Sequence, residues 1–520
     1  MEKRVNIIGA GLGGLSLAIS LAKEGISSNL ISNMPSERAQ SVLAEGGINA
    51  ALDLMGENDS IAEHFKDTKA GGAYLENDKN IENLVNNAPA IVEWLNKLGV
   101  PFQMVNGNLV QRNFGGQKKK RTVYAKSSTG KMIMTALIDE ARKYEVRGLI
   151  NRLPHHELVD VEIKNNTLSA IIVKDLFSHE FYRLTGKIVI SIGGLNGFFE
   201  GHVTGSDLNN ANIQALLFSK GLTFRNLEFI QYHPTTIDLG YKRLLVSESA
   251  RGEGGRLLVY KNNEPYYFME DRHELGNLAP RDVISKEEFK ILSDPAYDGT
   301  IYLDLRVLSI DTWKNKLPDL RKEIIDYLSI DPIKDLVPVS PGIHYFMGGI
   351  EVDVKHKTSI DNLYAVGECA SIYHGANRLG GNSLLGALCG GITAYRTLLE
   401  EDEYPECKIE SINYQEKVVR ASLNKQIKNI LINSLGIIRE EKTLKQGIND
   451  IDNLLSNHDL NNLEIARLVL AKAMIVAALE RKESRGAHQR SDYLNTSDDF
   501  ALPTVINFVD GKITIKYEER

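Results

Sequence analysis

The pattern of apolar and polar positions at the start of the chain is typical of a strand, a tight turn and a helix. Positions 4–8 read Arg-Val-Asn-Ile-Ile, a short run rich in β-branched residues. A glycine-rich turn follows, then an apolar stretch over 15–23 that is closed by Gly25, and then a second apolar run over 28–31. This order predicts a βαβ unit of about 30 residues, in which a helix connects two parallel strands.

Apolar periodicity farther along the chain predicts a mixed α/β protein. Helical spacing occurs over 61–70, 81–98, 130–144 and 384–399 and from 405 to 482, whereas strand-like runs fill 158–192. A second strand–turn–helix pattern begins at Leu363, after a mixed, loop-rich stretch that starts near Gln231. We therefore predict a Rossmann-like α/β nucleotide-binding domain, an inserted α+β domain and a helical C-terminal domain. The predicted bounds are 1–231 and 344–400 for the two parts of the nucleotide-binding domain, 232–343 for the insertion, and 401–520 for the C-terminal domain and tail.

Composition changes this prediction little, but it excludes several classes of function. The 520 residues are 42% hydrophobic and 25% charged, with a net charge of −7, as in ordinary globular proteins. The basic run 118–121 is interpreted as a solvated loop, with a docking patch for an anionic partner as the alternative, and nothing else favours nucleic-acid binding. Three cysteines without a CxxC pair indicate neither a disulfide framework nor a metal or iron–sulfur site.

The chain also lacks an apolar run long enough to span a membrane and a recognisable signal peptide. We therefore expect a cytoplasmic protein. Peripheral attachment to the inner face of a membrane stays open, but only through partner subunits.

The first glycine-rich turn has the spacing of a dinucleotide-binding motif. Gly9, Gly11 and Gly14 fit GxGxxG between a strand and a helix, where glycines allow the turn, the approach of a pyrophosphate and close packing. A plain glycine turn is the alternative interpretation. The second strand ends in Ser32 and Asn33, whereas such sites usually carry an acidic residue there for the ribose.

Two further glycine clusters, at 44–48 and 366–384, indicate a large cofactor that is enclosed by several loops. FAD fits this pattern better than a small nucleotide. The residues predicted to bind it are Gly9, Gly11, Gly14, Ser32, Gln40, Ser41, Glu45, Gly46, Gly47, Glu368, Asn382, Ser383 and Leu384.

Polar, glycine-flanked segments provide the side chains that a dicarboxylate site needs. They lie at 231–235, 247–255, 279–282, 344–349 and 374–378. Arginine binds a carboxylate through two parallel hydrogen bonds, and histidine and hydroxyl donors complete the carboxylate shell. A lone histidine or arginine is more often structural, but five such segments in order favour a binding site.

In combination these blocks closely resemble the flavoprotein subunit of the fumarate reductase/succinate dehydrogenase family. The similarity runs from GAGLGG at Gly9 through AEGG, QYHPT, RGEGG, PRDV, HYFMGGI, VGEC and HGANRLGGNSLL to ESRGAH at 483–488. The aspartate oxidases belong to the same superfamily and share most of the blocks. The resemblance implies an FAD-binding domain, a capping domain over the substrate and hydride exchange between flavin and a C4 dicarboxylate.

The same resemblance implies roles for single residues. The expected substrate-binding residues are Phe114, His233, Ser247, His344 and Arg378, and the expected catalytic residues are Arg281, Glu248 and Arg251. In the family the residue matching Arg281 exchanges a proton with the substrate carbon, and the residues matching Glu248 and Arg251 pass protons to it. Such a relay is needed because an arginine alone, with a pKa above about 12, is a poor acid.

Two positions narrow the expected type of FAD attachment and the expected substrate. Respiratory members of the family bind FAD covalently through a histidine where this chain has Gln40, so we predict non-covalent FAD and favour fumarate reduction or an oxidase. Aspartate oxidases usually carry an acidic residue where this chain has Phe114, which favours fumarate or succinate, because an ammonium beside an apolar ring would be unpaired.

Three functions therefore stay open. The leading one is a fumarate reductase/succinate dehydrogenase flavoprotein, with a C4 dicarboxylate as substrate and an iron–sulfur subunit as electron partner. The second is an L-aspartate oxidase that makes iminoaspartate for NAD biosynthesis. The third is a flavoprotein without catalysis, although Arg281, His233, His344 and Arg378 argue against it.

Overall fold

A computed structural model describes residues 3–518 of the chain as a mixed α/β protein. The helices are α1 Leu12–Lys23, α2 Ile61–Gly71, α3 Asp78–Lys97, α4 Thr129–Val146, α5 Asn212–Ser219, α6 Glu248–Gly252, α7 Met269–Arg272, α8 Arg281–Leu292, α9 Ile310–Asn315, α10 Pro318–Leu328, α11 Asn382–Glu400, α12 Ala421–Ser434, α13 Glu441–Leu455 and α14 Asn462–Glu480. Within residues 3–518, no helix is long and apolar enough to cross a membrane.

The strands form several separate sheets. They are β1 Arg4–Ile8, β2 Ser27–Ser32, β3 Ile48–Asn49, β4 Met104–Val105, β5 Asn108–Leu109, β6 Gln111–Arg112, β7 Thr122–Val123, β8 Ile150–Pro154, β9 His156–Lys164, β10 Thr167–Asp175, β11 Phe181–Leu184, β12 Lys187–Ile190, β13 Phe224–Arg225, β14 Ile230–Asp238, β15 Arg243–Leu245, β16 Arg256–Lys261, β17 Glu264–Tyr266, β18 Ile301–Asp304, β19 Val337–Phe346, β20 Gly349–Glu351, β21 Leu363–Ala365, β22 Ala370–Ser371, β23 Ile409–Ile412, β24 Ile438–Arg439, β25 Gln489–Arg490, β26 Thr504–Val509 and β27 Lys512–Tyr517.

The nucleotide-binding part is built on a parallel five-stranded sheet in the order β21-β12-β1-β2-β8. Ile7 on β1 is paired with Val189 on β12 and with Leu30 on β2, and all three side chains are fully buried. Helices α1 and α4 pack against this sheet, and α11 packs against α1. Burial on both faces explains the nearly continuous apolar runs of its strands. The Rossmann-like domain expected from the sequence is therefore confirmed.

The inserted region has its own hydrophobic core. A mainly antiparallel sheet in the order β15-β14-β19-β18-β16-β17 packs with α8, α9 and α10 around buried side chains between Ile237 and Val339. The strands β14 and β19 run without interruption across positions 231–232 and 343–344. The predicted domain bounds therefore cut two continuous strands, and they stay predictions.

The C-terminal part consists of α12, α13 and α14 followed by a hairpin of β26 and β27. The hairpin is paired with β13 of the nucleotide-binding part, an attachment that the sequence analysis did not predict. A fully buried ion pair joins the same two parts, with Arg481 Nε 2.7 Å from Glu228 Oε1. Buried charges are stable only when they are paired, so this contact fixes the helical part against the rest.

Candidate functional site

A long cleft lies between the parallel sheet and the inserted region. Its unfilled space, including the part open to solvent, is about 1850 Å³. The cleft is lined both by the first glycine turn and by the polar segments of the inserted region. The cleft therefore brings the candidate nucleotide-binding turn and the candidate substrate-binding segments together.

The first glycine turn is shaped by close backbone contacts. Gly9 has φ of +109°, and a Cβ atom there would lie 2.0 Å from the carbonyl oxygen of Ser191. A Cβ atom on Gly14 would lie 1.9 Å from the carbonyl oxygen of Gly9. Helix α1 begins directly after Gly11. The first N–H groups of this helix are therefore available to an anion at the turn, as in a pyrophosphate site.

Gln40 lies at the centre of a polar cluster on the cleft wall. Its Oε1 accepts hydrogen bonds from Asn196 Nδ2 at 2.5 Å and from Asn209 Nδ2 at 2.9 Å. Its Nε2 donates to Glu368 Oε2 at 3.1 Å, and the backbone N–H of Phe346 donates to the other oxygen of Glu368 at 3.1 Å. Burial raises the pKa of Glu368 to about 7. The cluster fixes Gln40 and leaves Glu368 able to titrate near neutral pH.

Two arginines from distant segments meet in the cleft through one glutamine. Arg281 is the first residue of α8, and Arg378 lies in the loop before α11. Arg281 Nη1 and Arg378 Nη2 both donate to Gln231 Oε1, at 3.1 Å and 3.0 Å. Burial and the neighbouring charge of Arg281 lower the pKa of Arg378 to about 9. Two cations held this close in a buried site favour a dianionic ligand.

A chain of charged groups leads away from Arg281. Glu248 Oε2 accepts from Arg281 Nη2 at 2.6 Å and from Nε at 3.1 Å. The other oxygen of Glu248 lies 3.4 Å from Arg251 Nη2. Burial by itself would raise the pKa of Glu248, but the two arginines hold it below its ordinary value. Glu248 is therefore a carboxylate between two guanidinium groups, which is the arrangement that a proton relay needs.

Two histidines provide neutral polar groups to the same cleft. The rings of His233 on β14 and His344 on β19 are 5.0 Å apart, and His344 Nδ1 lies 2.7 Å from the hydroxyl of Thr204. Burial and the charge of Arg281 lower the pKa of both rings well below the ordinary value. Nε2 of His233 is buried without a protein partner within the described residues 3–518. Each ring can therefore give one hydrogen bond to a ligand carboxylate without adding charge.

An aromatic ring forms the apolar part of the wall. A Cβ atom on Gly46 would lie 2.4 Å from the ring of Phe114, and one on Gly380 would lie 2.8 Å from it. The Gly380 Cβ would also lie 2.8 Å from Glu248 Oε2. Glycines are therefore required at these two positions because Phe114 and the charged chain fill the space beside them.

Most of the residues predicted from the sequence line this cleft. They are Gly9, Gly11, Ser32, Gln40, Ser41, Glu45, Gly46, Gly47, Phe114, His233, Ser247, Glu248, Arg281, His344, Glu368, Arg378, Ser383 and Leu384. Gly14, Arg251 and Asn382 are not part of the lining. Asn382 Oδ1 accepts a hydrogen bond from Asn49 Nδ2 at 2.7 Å, and its contact with a cofactor stays a prediction.

Some lining residues were missed by the sequence analysis. Thr204, Asn209 and Asn210 belong to the segment between β12 and α5, and Gln214 lies on α5. The sequence feature that could have indicated this segment is Gly205. The structure requires a glycine there, since a Cβ atom would lie 2.8 Å from Gln40 Oε1. Gln231 was quoted within a polar segment, but its contact with both arginines could not be read from sequence, because the partners lie 50 and 147 residues away.

The residues of the cleft fit FAD on structural grounds. A helix N-terminus with a glycine turn suits the pyrophosphate. Buried polar atoms without protein partners among the described residues, including Glu45 Oε2, His233 Nε2 and Arg378 Nε, suit polar groups of a cofactor and a substrate. An additional side chain would overlap neighbouring atoms at Gly9, Gly46 and Gly380, so the wall is shaped for close approach.

Two family models match the chain. One is described as an FAD binding domain and covers residues 4–384. The other is described as the C-terminal part of fumarate reductase flavoproteins and covers residues 424–520. Together they span both the cleft and the helical part.

Curated proteins and solved structures are similar over nearly the whole length. The succinate dehydrogenase flavoprotein subunit of Bacillus subtilis is 32% identical, with 97% of this chain and 94% of that protein covered. The L-aspartate oxidase of Pyrococcus abyssi is also 32% identical, with coverages of 97% and 98%. A structure of Escherichia coli quinol fumarate reductase superposes with a TM-score of 0.86 at 27% identity, with coverages of 100% and 97%.

Proposed function

The chain belongs to the flavoprotein family that contains fumarate reductase, succinate dehydrogenase and L-aspartate oxidase, with FAD as cofactor, and from this we propose that it interconverts fumarate and succinate. The observation that carries the proposal is the pair of buried arginines, Arg281 and Arg378, joined through Gln231 beside two neutral histidines. Such a site compensates the charges of two carboxylates.

We assign the binding of the two carboxylates to four residues that line the cleft. They are His233, Ser247, His344 and Arg378. Arg378 offers a fork of parallel donors, and the neutral rings add hydrogen bonds without repelling the arginines. Ser247 caps α6 and keeps a hydroxyl at the cleft wall. Fixing both ends of a C4 chain orients its central carbons, which lowers the entropic part of the barrier.

Proton transfer at the substrate carbon is assigned to Arg281. Its contacts with Glu248 at 2.6 Å and 3.1 Å allow a proton lost to the substrate to be replaced. Because Glu248 is held as a carboxylate, the replacing proton starts on Arg251, passes to Glu248 across 3.4 Å and moves from there to Arg281. FAD, when bound, supplies or accepts the hydride. Arg281 and Arg378 additionally stabilise negative charge that develops on the substrate.

We further propose that FAD is bound without a covalent link through position 40. Gln40 has no nucleophilic side chain, and its amide is already hydrogen-bonded to Asn196, Asn209 and Glu368. Acid denaturation should therefore release all flavin into the supernatant. Flavin that stays with the precipitated protein would show a covalent link and contradict this proposal.

L-aspartate oxidase is the second candidate function. It is favoured by the similarity to the Pyrococcus abyssi enzyme, which equals the similarity to the succinate dehydrogenase subunit. Phe114 opposes it, because this apolar ring lines the cleft at the position where aspartate oxidases are expected to carry an acidic residue. Hydrogen peroxide formed from L-aspartate and oxygen would support this candidate.

Electrons beyond the flavin are assigned to an iron–sulfur partner subunit. Cys369 and Cys389 are buried and Cys407 is partly buried, and within residues 3–518 no group of His, Cys, Asp and Glu is arranged to hold a metal. A partner of this kind would also decide whether the protein is held at a membrane. We propose a cytoplasmic location with attachment only through such partners.

A single-turnover experiment tests the main proposal. Purified holoprotein is reduced under anaerobic conditions and mixed with fumarate, and the flavin absorbance is followed. Rapid reoxidation with formation of one succinate per flavin is expected. Reduced flavin that persists in the presence of excess fumarate would contradict the proposal.

A further inference from the structure

Two polar residues of the motif blocks have no role in the chemistry assigned above. They are Asp282 of PRDV and Asn377 of HGANR. Asp282 directly follows Arg281 in the sequence, and Asn377 directly precedes Arg378. Asn377 is buried and Asp282 is partly buried. Each of the two arginines in the cleft is therefore flanked by a polar residue that needs an explanation.

Hydrogen bonds connect these two residues with each other and with Gln231. Asn377 Nδ2 donates to Asp282 Oδ1 at 2.8 Å. Gln231 Nε2 donates to Asn377 Oδ1 at 2.7 Å and to the backbone carbonyl oxygen of Arg378 at 2.8 Å. Gln231 Oε1 accepts from both arginines. With the peptide links 281–282 and 377–378, these bonds close a ring, which we call the arginine ring and which consists of Arg281, Asp282, Asn377, Arg378 and Gln231.

The end groups fix the direction of each hydrogen bond in the arginine ring. A guanidinium can only donate, and an ionised carboxylate can only accept. Burial raises the pKa of Asp282 to about 6, so its carboxyl is mainly ionised at neutral pH. Since both arginines donate to the oxygen of Gln231, its amide nitrogen faces Asn377. The nitrogen of Asn377 in turn faces Asp282, so position 377 needs a side chain with both a donor and an acceptor.

The arginine ring joins two parts of the molecule. Helix α8, which begins at Arg281, packs into the core of the inserted region through Ile284 and Ile291. Asn377 lies in the loop before α11, a helix that packs on α1 of the nucleotide-binding part. The hydrogen bond between Asn377 and Asp282 therefore links the inserted region to the nucleotide-binding part beside the cleft.

The contacts of Arg281 with Glu248 do not provide this link. Glu248 begins α6, which packs in the inserted region together with α8, so its two hydrogen bonds fix Arg281 within that region. Arg378 belongs to the other part. The position of one arginine relative to the other depends on hydrogen bonds that cross between the two parts, and the arginine ring provides such bonds.

We propose that the arginine ring sets the position of the proton donor Arg281 relative to Arg378, so that Arg281 faces the substrate carbon while Arg378 holds a carboxylate. Asp282 and Asn377 are positioning residues, since they act on the substrate through the two arginines. The inference rests on the proposed function and adds the residues that align the proton donor with the bound substrate. A small misalignment of such a donor slows the reaction more than it weakens binding.

Two substitutions open the arginine ring at the same bond. Asn377→Asp replaces the donor by a carboxylate oxygen that faces Asp282, and Asp282→Ala removes the acceptor. The holoproteins are assayed at about pH 8, where Asp282 is ionised, and rates are expressed per bound flavin. In both variants kcat for fumarate reduction should fall about 10–100-fold, whereas KM should stay within about threefold of the wild type.

A solvent isotope effect separates misalignment from a general structural defect. If the proton donor is misplaced, proton transfer becomes the slow step, and the solvent deuterium isotope effect on kcat should increase in both variants. The control is Asn453→Asp, which adds the same charge at an exposed position of α13 outside the cleft lining. Its kcat and its isotope effect should equal those of the wild type.

An exchange of the two side chains tests the bond itself. Asp282→Asn combined with Asn377→Asp again places a donor opposite an acceptor, in the reverse direction, and keeps an oxygen at position 377 for Gln231 Nε2. The double variant should recover kcat to within about fivefold of the wild type, so the effect of Asn377→Asp depends on the residue at position 282.

The outcomes separate the two proposals. Wild-type holoprotein that does not reduce fumarate contradicts the proposed function itself. Wild-type protein that reduces fumarate, with single variants of unchanged kcat and isotope effect, contradicts only the arginine ring. A loss of kcat or of bound flavin in Asn377→Asp that the double exchange does not restore also contradicts the arginine ring.

Discussion

The glycine turn and the reacting centre line the same cleft, but they are built in different ways. The turn is continuous in sequence, from Gly9 to Gly14, and it works through backbone atoms. The reacting centre combines side chains from segments between Gln231 and Arg378, which are buried except for the partly buried His344, and several of them are charged. The turn is stabilised by the packing of α1 on the sheet, whereas the centre depends on charges that must balance one another.

Because of this difference, we expect some substitutions to affect cofactor binding and others to affect only the reaction. A change in the turn should remove the flavin and leave the centre without its reactant. A change in the centre should leave the flavin bound and stop turnover. The predictions below test this separation, beginning with the largest expected effect.

Gly9→Ala should abolish flavin binding and with it all activity. A Cβ atom there would lie 2.0 Å from the carbonyl oxygen of Ser191, and φ is +109°. The matched control is Gly25→Ala near the other end of α1, where φ is +76° but no atom lies within 4 Å of the added Cβ. The control should lose only about 1–2 kcal/mol of stability. The flavin content of both variants is measured after gel filtration. A normal flavin content in Gly9→Ala would contradict the role of the glycine turn in cofactor binding.

Arg281→Lys should lower kcat for fumarate reduction by about 10³-fold, while flavin content and the spectral change on dicarboxylate binding persist. Lysine keeps a positive charge but cannot reproduce the two contacts with Glu248. Arg256→Lys, at a partly exposed ion pair with Glu270, is the control and should keep full activity. Steady-state kinetics measure kcat of both variants. An Arg281→Lys variant with the kcat of the wild type would show that Arg281 does not transfer the proton.

Phe114→Glu should lower kcat/KM for fumarate by about 100-fold, because a carboxylate would face the dianionic substrate. Phe114→Leu keeps the wall apolar and should stay within about tenfold of the wild type. Both variants should bind normal amounts of flavin. Unchanged fumarate kinetics in Phe114→Glu would show that this ring does not face the substrate.

Glu368→Gln should change the pH dependence of stability in the apoprotein. The folded-state pKa of Glu368 is raised to about 7, above the value of about 4.3 in an unfolded chain. The folded wild type binds more protons in this window, so it loses stability as pH rises from about 4.3 to about 7. The variant should therefore gain melting temperature relative to the wild type across that range. A constant difference would show that Glu368 does not titrate there.

Local patterns predicted much of the fold, because strands and helices buried on both faces leave long apolar runs. The βαβ unit around Gly9 and the helices α1 to α4 and α11 were all found close to their predicted positions. The pairing of β26 with β13 could not be predicted, since it joins residues about 280 positions apart and both strands are short.

The residues of the candidate site could be predicted from the sequence only in part. His233, Arg281, His344 and Arg378 were proposed through a family resemblance, and the structure brings them to one cleft. Thr204 was missed, and the contact of Gln231 with both arginines was not predicted, because a hydroxyl and an amide have no motif of their own.

The most direct test of the central claim measures kcat/KM for two substrates on one preparation of the holoprotein. Fumarate is assayed under anaerobic conditions with a reduced viologen dye, and L-aspartate is assayed by peroxide formation in air. The account predicts that kcat/KM for fumarate exceeds that for L-aspartate by at least about 100-fold, since the cleft has two buried arginines for carboxylates and an aromatic ring in place of an ammonium acceptor. A higher kcat/KM for L-aspartate, with no dye oxidation by fumarate, would contradict it.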